Sequence, residues 1–151
     1  MRNKGFTLIE LLAVIVILAI IALIATPIVL GIINDSRKSA DRETAKLMVS
    51  NFELAYNAAY MAKGGVEPSL TDIKNKFNMD GLQSDPNIPT TGDDAGKLVI
   101  VSKSGNVTCK TGIAVSGTND AKVTLTCTIT GDDEFNSGNE GKSRDITVKG
   151  L

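Results

Sequence analysis

The feature that most constrains this chain is the run GFTLIELLAVIVILAIIALIATPIVLGII at positions 5–33, in which Glu10 is the one ionisable side chain. From Leu11 to Ala25 every residue is apolar, and after Thr26 and Pro27 the apolar character resumes through Ile33. Coiled into a helix, the run is long enough to cross about 30 Å of hydrocarbon. A helix that is apolar all round has no stable place on the outside of a small water-soluble domain. The expectation is therefore a membrane-spanning segment at 6–33, behind a short basic leader at 1–5.

The flanks give the orientation and narrow the kind of signal. Arg2 and Lys4 precede the run, whereas Asp35, Arg37 and Lys38 follow it with mixed sign, so the positive-inside bias predicts a cytoplasmic N-terminus and a head that faces outward. The two basic residues abut the apolar run directly and no A-x-A site follows, unlike an ordinary cleavable secretory signal. No cysteine follows the run until Cys109, which removes a lipoprotein signal as well. The order Met1-Arg2-Asn3-Lys4-Gly5, then Phe6-Thr7-Leu8-Ile9-Glu10 opening the apolar helix, resembles the N-terminal signature of type IV prepilins, the class III signal. The resemblance covers about the first thirty residues. It implies cleavage after Gly5 by a dedicated membrane peptidase, methylation of the new amine on Phe6, and assembly of the chain into a filament.

Two readings of Glu10 stand side by side. Thr7-Leu8-Ile9-Glu10 has the form of a capping box, and a carboxylate in the first helical turn also complements the helix dipole. Alternatively, a carboxylate opening fifteen consecutive apolar residues is an assembly group awaiting a positive partner, and the resemblance makes the Phe6 amine of a neighbouring subunit that partner. The two roles are compatible in sequence. Pro27 removes a backbone hydrogen bond and Gly31 costs about 1 kcal/mol relative to alanine, so the helix is expected to be weakest there. That is either a tolerated kink in a membrane helix or, as the resemblance implies, a stretch that bends or melts when subunits pack.

From Asn34 the composition turns polar while helical spacing persists. Ala45, Met48, Val49, Phe52, Ala55, Tyr56 and Ala59 share one face, and Arg42, Glu43, Lys46 and Glu53 lie on the other, where simple solvation is expected. This predicts an amphipathic continuation at 34–63, stopped by Gly64-Gly65. Ser69-Leu70-Thr71-Asp72 opens a short helix with Leu70, Ile73 and Phe77 on one side, and 79–96 reads as a long polar surface loop. Short β-branched runs follow at 97–103, 107–111, 113–116, 123–130 and 145–149, divided by turns such as Ser104-Gly105-Asn106 and Gly117-Thr118-Asn119-Asp120. Val123, Leu125, Cys127 and Ile129 alternate with threonines, so one sheet face is apolar and the amphipathic helix is the layer that covers it. The fold class is α+β: a long N-terminal helix packed on a small, mostly antiparallel sheet, with the exposed head at 64–151, a pilin-like arrangement.

Cys109 and Cys127 each fall on the apolar side of a strand. They either pair, in the one intramolecular way open to two cysteines, or remain as two buried thiols. Many pilins have a cysteine pair framing a C-terminal loop; in this chain Cys127 lies 24 residues before the end. The acidic, glycine-rich stretch 131–141 has calcium-loop spacing at Asp132, Glu134 and Asn136, but Ser137 and Ser143 stand where such a loop needs glycine and a bidentate glutamate. It reads as a solvated loop, and no metal or other cofactor is expected. Asn106-Val107-Thr108 matches a glycosylation triplet, though a turn asparagine is the simpler reading.

Composition narrows the function classes. There is no histidine, which removes the commonest general base and metal ligand, and no converging polar constellation points to an enzyme. Loss of the leader leaves 14 basic against 17 acidic side chains, a balance with nothing to gain from nonspecific nucleic-acid binding. The resemblance implies a structural pilin of a type IV pilus supporting adhesion or motility. Its partners would be copies of itself and other pilins, a prepilin peptidase and methyltransferase, an assembly platform, and membrane lipid before assembly. A pseudopilin of a type II secretion or competence DNA-uptake machine shares the signature, and a singly anchored binding module or enzyme is the alternative from a different class.

Overall fold

A computed structural model describes the backbone of residues 5–116 and 120–149. The chain divides into two compact units, Met1–Lys38 and Ser39–Leu151, and helix α1, Leu8–Ala62, contributes to both. In the first unit the apolar side chains of α1 are exposed except for the half-buried Ala25, and an 18-residue window reaches a mean hydropathy of 3.2. The predicted leader residues Met1–Lys4 lie outside the described residues.

The second unit is an α+β head in which the polar half of α1 packs on one antiparallel sheet. Strands β1 (Val99–Val101), β2 (Val107–Ser116), β3 (Asp120–Ile129) and β4 (Ile146–Lys149) lie in sequence order as a meander. Ala45, Met48, Phe52, Ala55 and Ala59 of α1 form one buried cluster with Leu98, Ile100, Val107, Cys109, Val123, Leu125, Cys127, Ile129, Ile146 and Val148. The strands contribute alternate residues to this core; Thr124, Thr126 and Thr128 of β3 lie on the outer face, whereas Thr111 of β2 is buried and its hydroxyl accepts from Leu98 N–H at 2.9 Å. The helix stops where glycine permits the left-handed turn. Gly64 has φ 66°, Gly65 N–H donates to Tyr60 O at 3.0 Å and Gly64 N–H to Met61 O at 3.1 Å, the paired bonds of a Schellman cap.

Helix α2 (Leu70–Lys76) begins at a reciprocal cap in which the Ser69 hydroxyl accepts from Asp72 N–H and the Asp72 carboxylate accepts from Ser69 N–H. Lys63 Nζ, 2.6 Å from Asp72 Oδ2, adds an ion pair from the end of α1. The Lys63 hydrogen bond and then the two from Ser69 hold the Asp72 carboxyl down at about 2. An unfolded aspartate titrates near 3.9, so this contribution to stability is complete above about pH 4 and is lost as the pH falls toward 2. The pair is solvent-accessible and its share is small. Melting curves of the detergent-solubilised chain are expected to show Asp72→Asn less stable than the parent at pH 6, with the gap closing by pH 2.

The structure differs from the sequence expectation in four places. The runs 107–111 and 113–116 are one strand carried through Gly112, with a register irregularity between Ile113 and Val115, because the long partner β3 supplies hydrogen bonds on both sides of the glycine. The tip of that hairpin, Gly117-Thr118-Asn119, lies outside the described residues. The stretch 79–96 is a loop laid along the open edge of β1: Asn87 and Val99 exchange backbone hydrogen bonds of 2.9 and 2.7 Å, and Gln83 N–H donates to Val101 O at 3.0 Å. It thereby covers an edge that would otherwise invite pairing with another chain.

The acidic stretch after β3 also has structure of its own, a five-residue helix α3 (Asp133–Ser137) with Phe135 buried. Asp132 caps α3 by accepting from Phe135 N–H at 3.2 Å, and Asn136 holds Ile129 by both its N–H and its carbonyl, at 2.7 and 2.9 Å. The outward charges of α1 are engaged as well. Arg42 grips Asp132 with two hydrogen bonds of 2.7 and 2.8 Å and reaches Glu134 at 2.9 Å, a forked geometry that suits guanidinium. Lys46 pairs with Glu140 at 3.3 Å, and Glu53 accepts from Arg144 N–H at 3.0 Å. These contacts tie α1 to the connection between β3 and β4.

Candidate functional site

The chemistry-bearing residues of the first unit cluster at the start of α1. Gly5 and Phe6 precede the helix without regular secondary structure, both exposed, and apart from the chain neighbours no heavy atom lies within 4 Å of where a Cβ on Gly5 would sit. Phe6 is 82% exposed and Leu8 83%.

Thr7 and Glu10 form a reciprocal cap. Glu10 Oε2 accepts from Thr7 N–H at 2.9 Å and from the Thr7 hydroxyl at 2.7 Å, while Thr7 Oγ1 accepts from Glu10 N–H at 3.4 Å. The first α-helical bond, Leu11 N–H to Thr7 O at 3.2 Å, follows directly. In the isolated subunit, then, the carboxylate is held by neutral donors of its own helix, and over residues 6–33 no cationic side chain exists to neutralise it.

Pro27 and Gly31 lie within a helix that is unbroken from Leu8 to Ala62. Beside the proline, the Thr26 hydroxyl donates to Ala22 O at 2.6 Å, a back-bond that adds a side-chain donor near the turn where proline supplies none. Gly31 has nothing within 4 Å of its would-be Cβ, so its surface is open to a close neighbour.

Cys109 and Cys127 belong to the other unit. They face each other across β2 and β3 and are joined in a disulfide that closes 18 residues of chain. Cys127 N–H points the other way, to Gly141 O at 2.7 Å, which leaves the cysteine pair at a position where facing side chains approach closely. Met48 Sδ of α1 lies 3.3 Å from Cys109 Sγ, so the bridge sits under the helix. Of the calcium-like triplet, Asp132 and Glu134 face Arg42 and Asn136 faces the backbone of Ile129. The grip of Arg42 on Asp132 had no sequence signal, since the two are 90 residues apart.

Comparison with known proteins reaches the same segment. Residues 1–26 match the family model described as the prokaryotic N-terminal methylation motif, the class III signal of the type IV pilins and pseudopilins. No curated protein and no solved structure matches the chain. The N-terminus of this chain is thus similar to a prepilin-type signal; it runs into an apolar helix, and an α+β head of pilin-like arrangement follows in the sequence.

Proposed function

We propose that this chain is a structural, non-enzymatic subunit of a type IV pilus or a closely related surface filament. The observation that carries the reading is the methylation motif at 1–26, which runs into an exposed apolar stretch of helix in which, over residues 6–33, the single ionisable side chain is Glu10. In this reading residues 1–5 are removed, Phe6 is methylated, 6–33 holds the subunit in the membrane with its N-terminus in the cytoplasm and then packs in the filament, 34–63 carries the head, and 64–151 faces outward. Exposed apolar surface on this scale is stable in lipid or against other apolar helices, but not in water. Assembly moves the helix from the first environment to the second.

The charge chemistry gives assembly a register. Methylation leaves the Phe6 amine cationic, and Glu10 stands four residues after Phe6. A neighbouring subunit displaced along the axis by a few residues brings its amine to Glu10, and the pair forms in a medium where opposite charges attract strongly. The stretch at Pro27 and Gly31 is the place where the helix gives when subunits pack. Adhesion or motility would be a property of the assembled filament. A pseudopilin of a secretion or DNA-uptake machine has the same signature, and the extent of the filament separates the two: long surface fibres labelled by antibody to the head support the pilus, and short structures confined to the envelope support the pseudopilin.

Export also bears on the cysteines. The Cys109–Cys127 bridge is proposed to form once the head leaves the reducing cytoplasm, stabilising it by about 3 kcal/mol for a loop of this size. Nonreducing peptide mapping of surface protein is expected to recover the two cysteine peptides linked; recovery of both as alkylatable thiols would contradict this.

A further inference from the structure

Within the second unit, α1 carries a row of apolar side chains turned away from the sheet. Leu47, Leu54 and Met61 are 54%, 61% and 77% exposed and stand seven residues apart. A seven-residue repeat is the spacing of a seam between helices, because it returns to the same side after two turns. The residues flanking the row at half that spacing are small or uncharged: Ser50 and Asn57 on one side, Asn51 and Ala58 on the other. Two polar neighbours are also already satisfied. The Thr44 hydroxyl donates to Ala40 O at 2.8 Å, and Asn51 Nδ2 donates to Leu47 O at 2.9 Å, so covering the row strands neither donor.

We propose that this row is a seam against α1 of a second copy of this chain, parallel to the first and offset by half a heptad. The proposal rests on the filament reading, which supplies parallel α1 helices side by side. It adds that the head half of the helix, and not the membrane half alone, carries subunit contact. At an offset of four residues, about 6 Å, Leu54 meets Ser50 of the second copy and Met61 meets its Asn57, while Leu54 of the second copy meets Ala58. Each large side chain enters a gap, whereas an unshifted pairing sets Leu54 on Leu54. The row is therefore complementary to itself at one stagger, and four residues is also the separation of Phe6 from Glu10. A membrane surface is a poorer occupant, since the charged groups beside the row are of mixed sign, Glu43 paired with Lys46 and Arg144 on Asn57, and offer anionic lipid no basic patch.

The test uses the full chain in cells. With a photoreactive p-benzoylphenylalanine at Leu54, irradiation is expected to join two copies, with attachment centred on Ser50 and Asn51 of the second. A parallel probe at Leu12 reads the filament assembly itself. Adducts between copies at Leu12 with none at Leu54, or a Leu54 adduct to lipid or to another protein, overturn the seam alone; no adduct between copies at either position overturns the filament reading with it. Leu54→Glu is expected to be cleaved and to keep its disulfide, yet to lower filament number at least tenfold, with Leu54→Met near wild type. Wild-type filament numbers for Leu54→Glu overturn the seam.

Discussion

Glu10→Val is expected to abolish filament assembly while membrane insertion, cleavage after Gly5 and folding of the head continue as in the parent. Valine suits the bilayer better than a carboxylate, which costs about 2.5–3.5 kcal/mol at mid-membrane and less near the interface, so as an anchored monomer the variant loses only the hydrogen bonds that Glu10 accepts from Thr7. What disappears is the partner for the Phe6 amine of the neighbouring subunit, which leaves a cation with no counter-charge inside an apolar bundle. The head core is built from residues of the second unit and is untouched by the change. Glu10→Gln separates the two roles of the side chain. It retains a carbonyl oxygen able to accept the Thr7 hydrogen bonds now made by the carboxylate, but carries no charge. It is expected to assemble at an intermediate level. Wild-type filament numbers for both variants, counted by electron microscopy, would leave Glu10 as a helix cap and nothing more.

Gly5→Val is expected to accumulate as uncleaved, membrane-bound precursor, with no mature chain and no filaments. The open space around Gly5 accommodates valine without a clash within the subunit, so the block would lie in recognition by the peptidase and not in misfolding. Precursor retention has a second consequence. With the leader attached, Phe6 has an amide nitrogen in place of a cationic amine, and Glu10 has no partner to assemble against. Immunoblotting of membrane fractions for the two chain lengths reads the outcome, and normal cleavage of Gly5→Val would place the cut elsewhere.

The parts of the molecule legible in its sequence are those set by local pattern. The continuous apolar run, the 3–4 spacing of Ala45, Met48, Phe52, Ala55 and Ala59, the Ser69–Asp72 cap and the alternation from Val123 to Ile129 each fix an element through neighbours a few residues away. The α+β class follows from these, since a helix with one apolar face and a sheet with one apolar face bury each other. The legible part of the candidate site is equally local: Gly5, Phe6, Thr7 and Glu10 fall within six consecutive positions.

Less legible were features decided by distant partners. Gly112 looked like a strand break because glycine weakens a strand on its own, yet β3 spans it. The polar composition of 79–96 gave no hint that Asn87 and Gln83 would hydrogen-bond the edge of β1. Arg42 looked solvated because its acceptors, Asp132 and Glu134, are far away in sequence. Those ion pairs also explain why an acidic, glycine-rich stretch holds a helical turn with Phe135 buried.

The proposed function has this chain processed as a prepilin and polymerising through its N-terminal helix. Its most direct test is intact-mass analysis of the main component of filaments sheared from the cell surface. The expected result is a chain that begins at Phe6, carries one added methyl on that residue and has Cys109 bonded to Cys127. Filaments made of another protein, or a surface form of this chain that retains Met1, would contradict it.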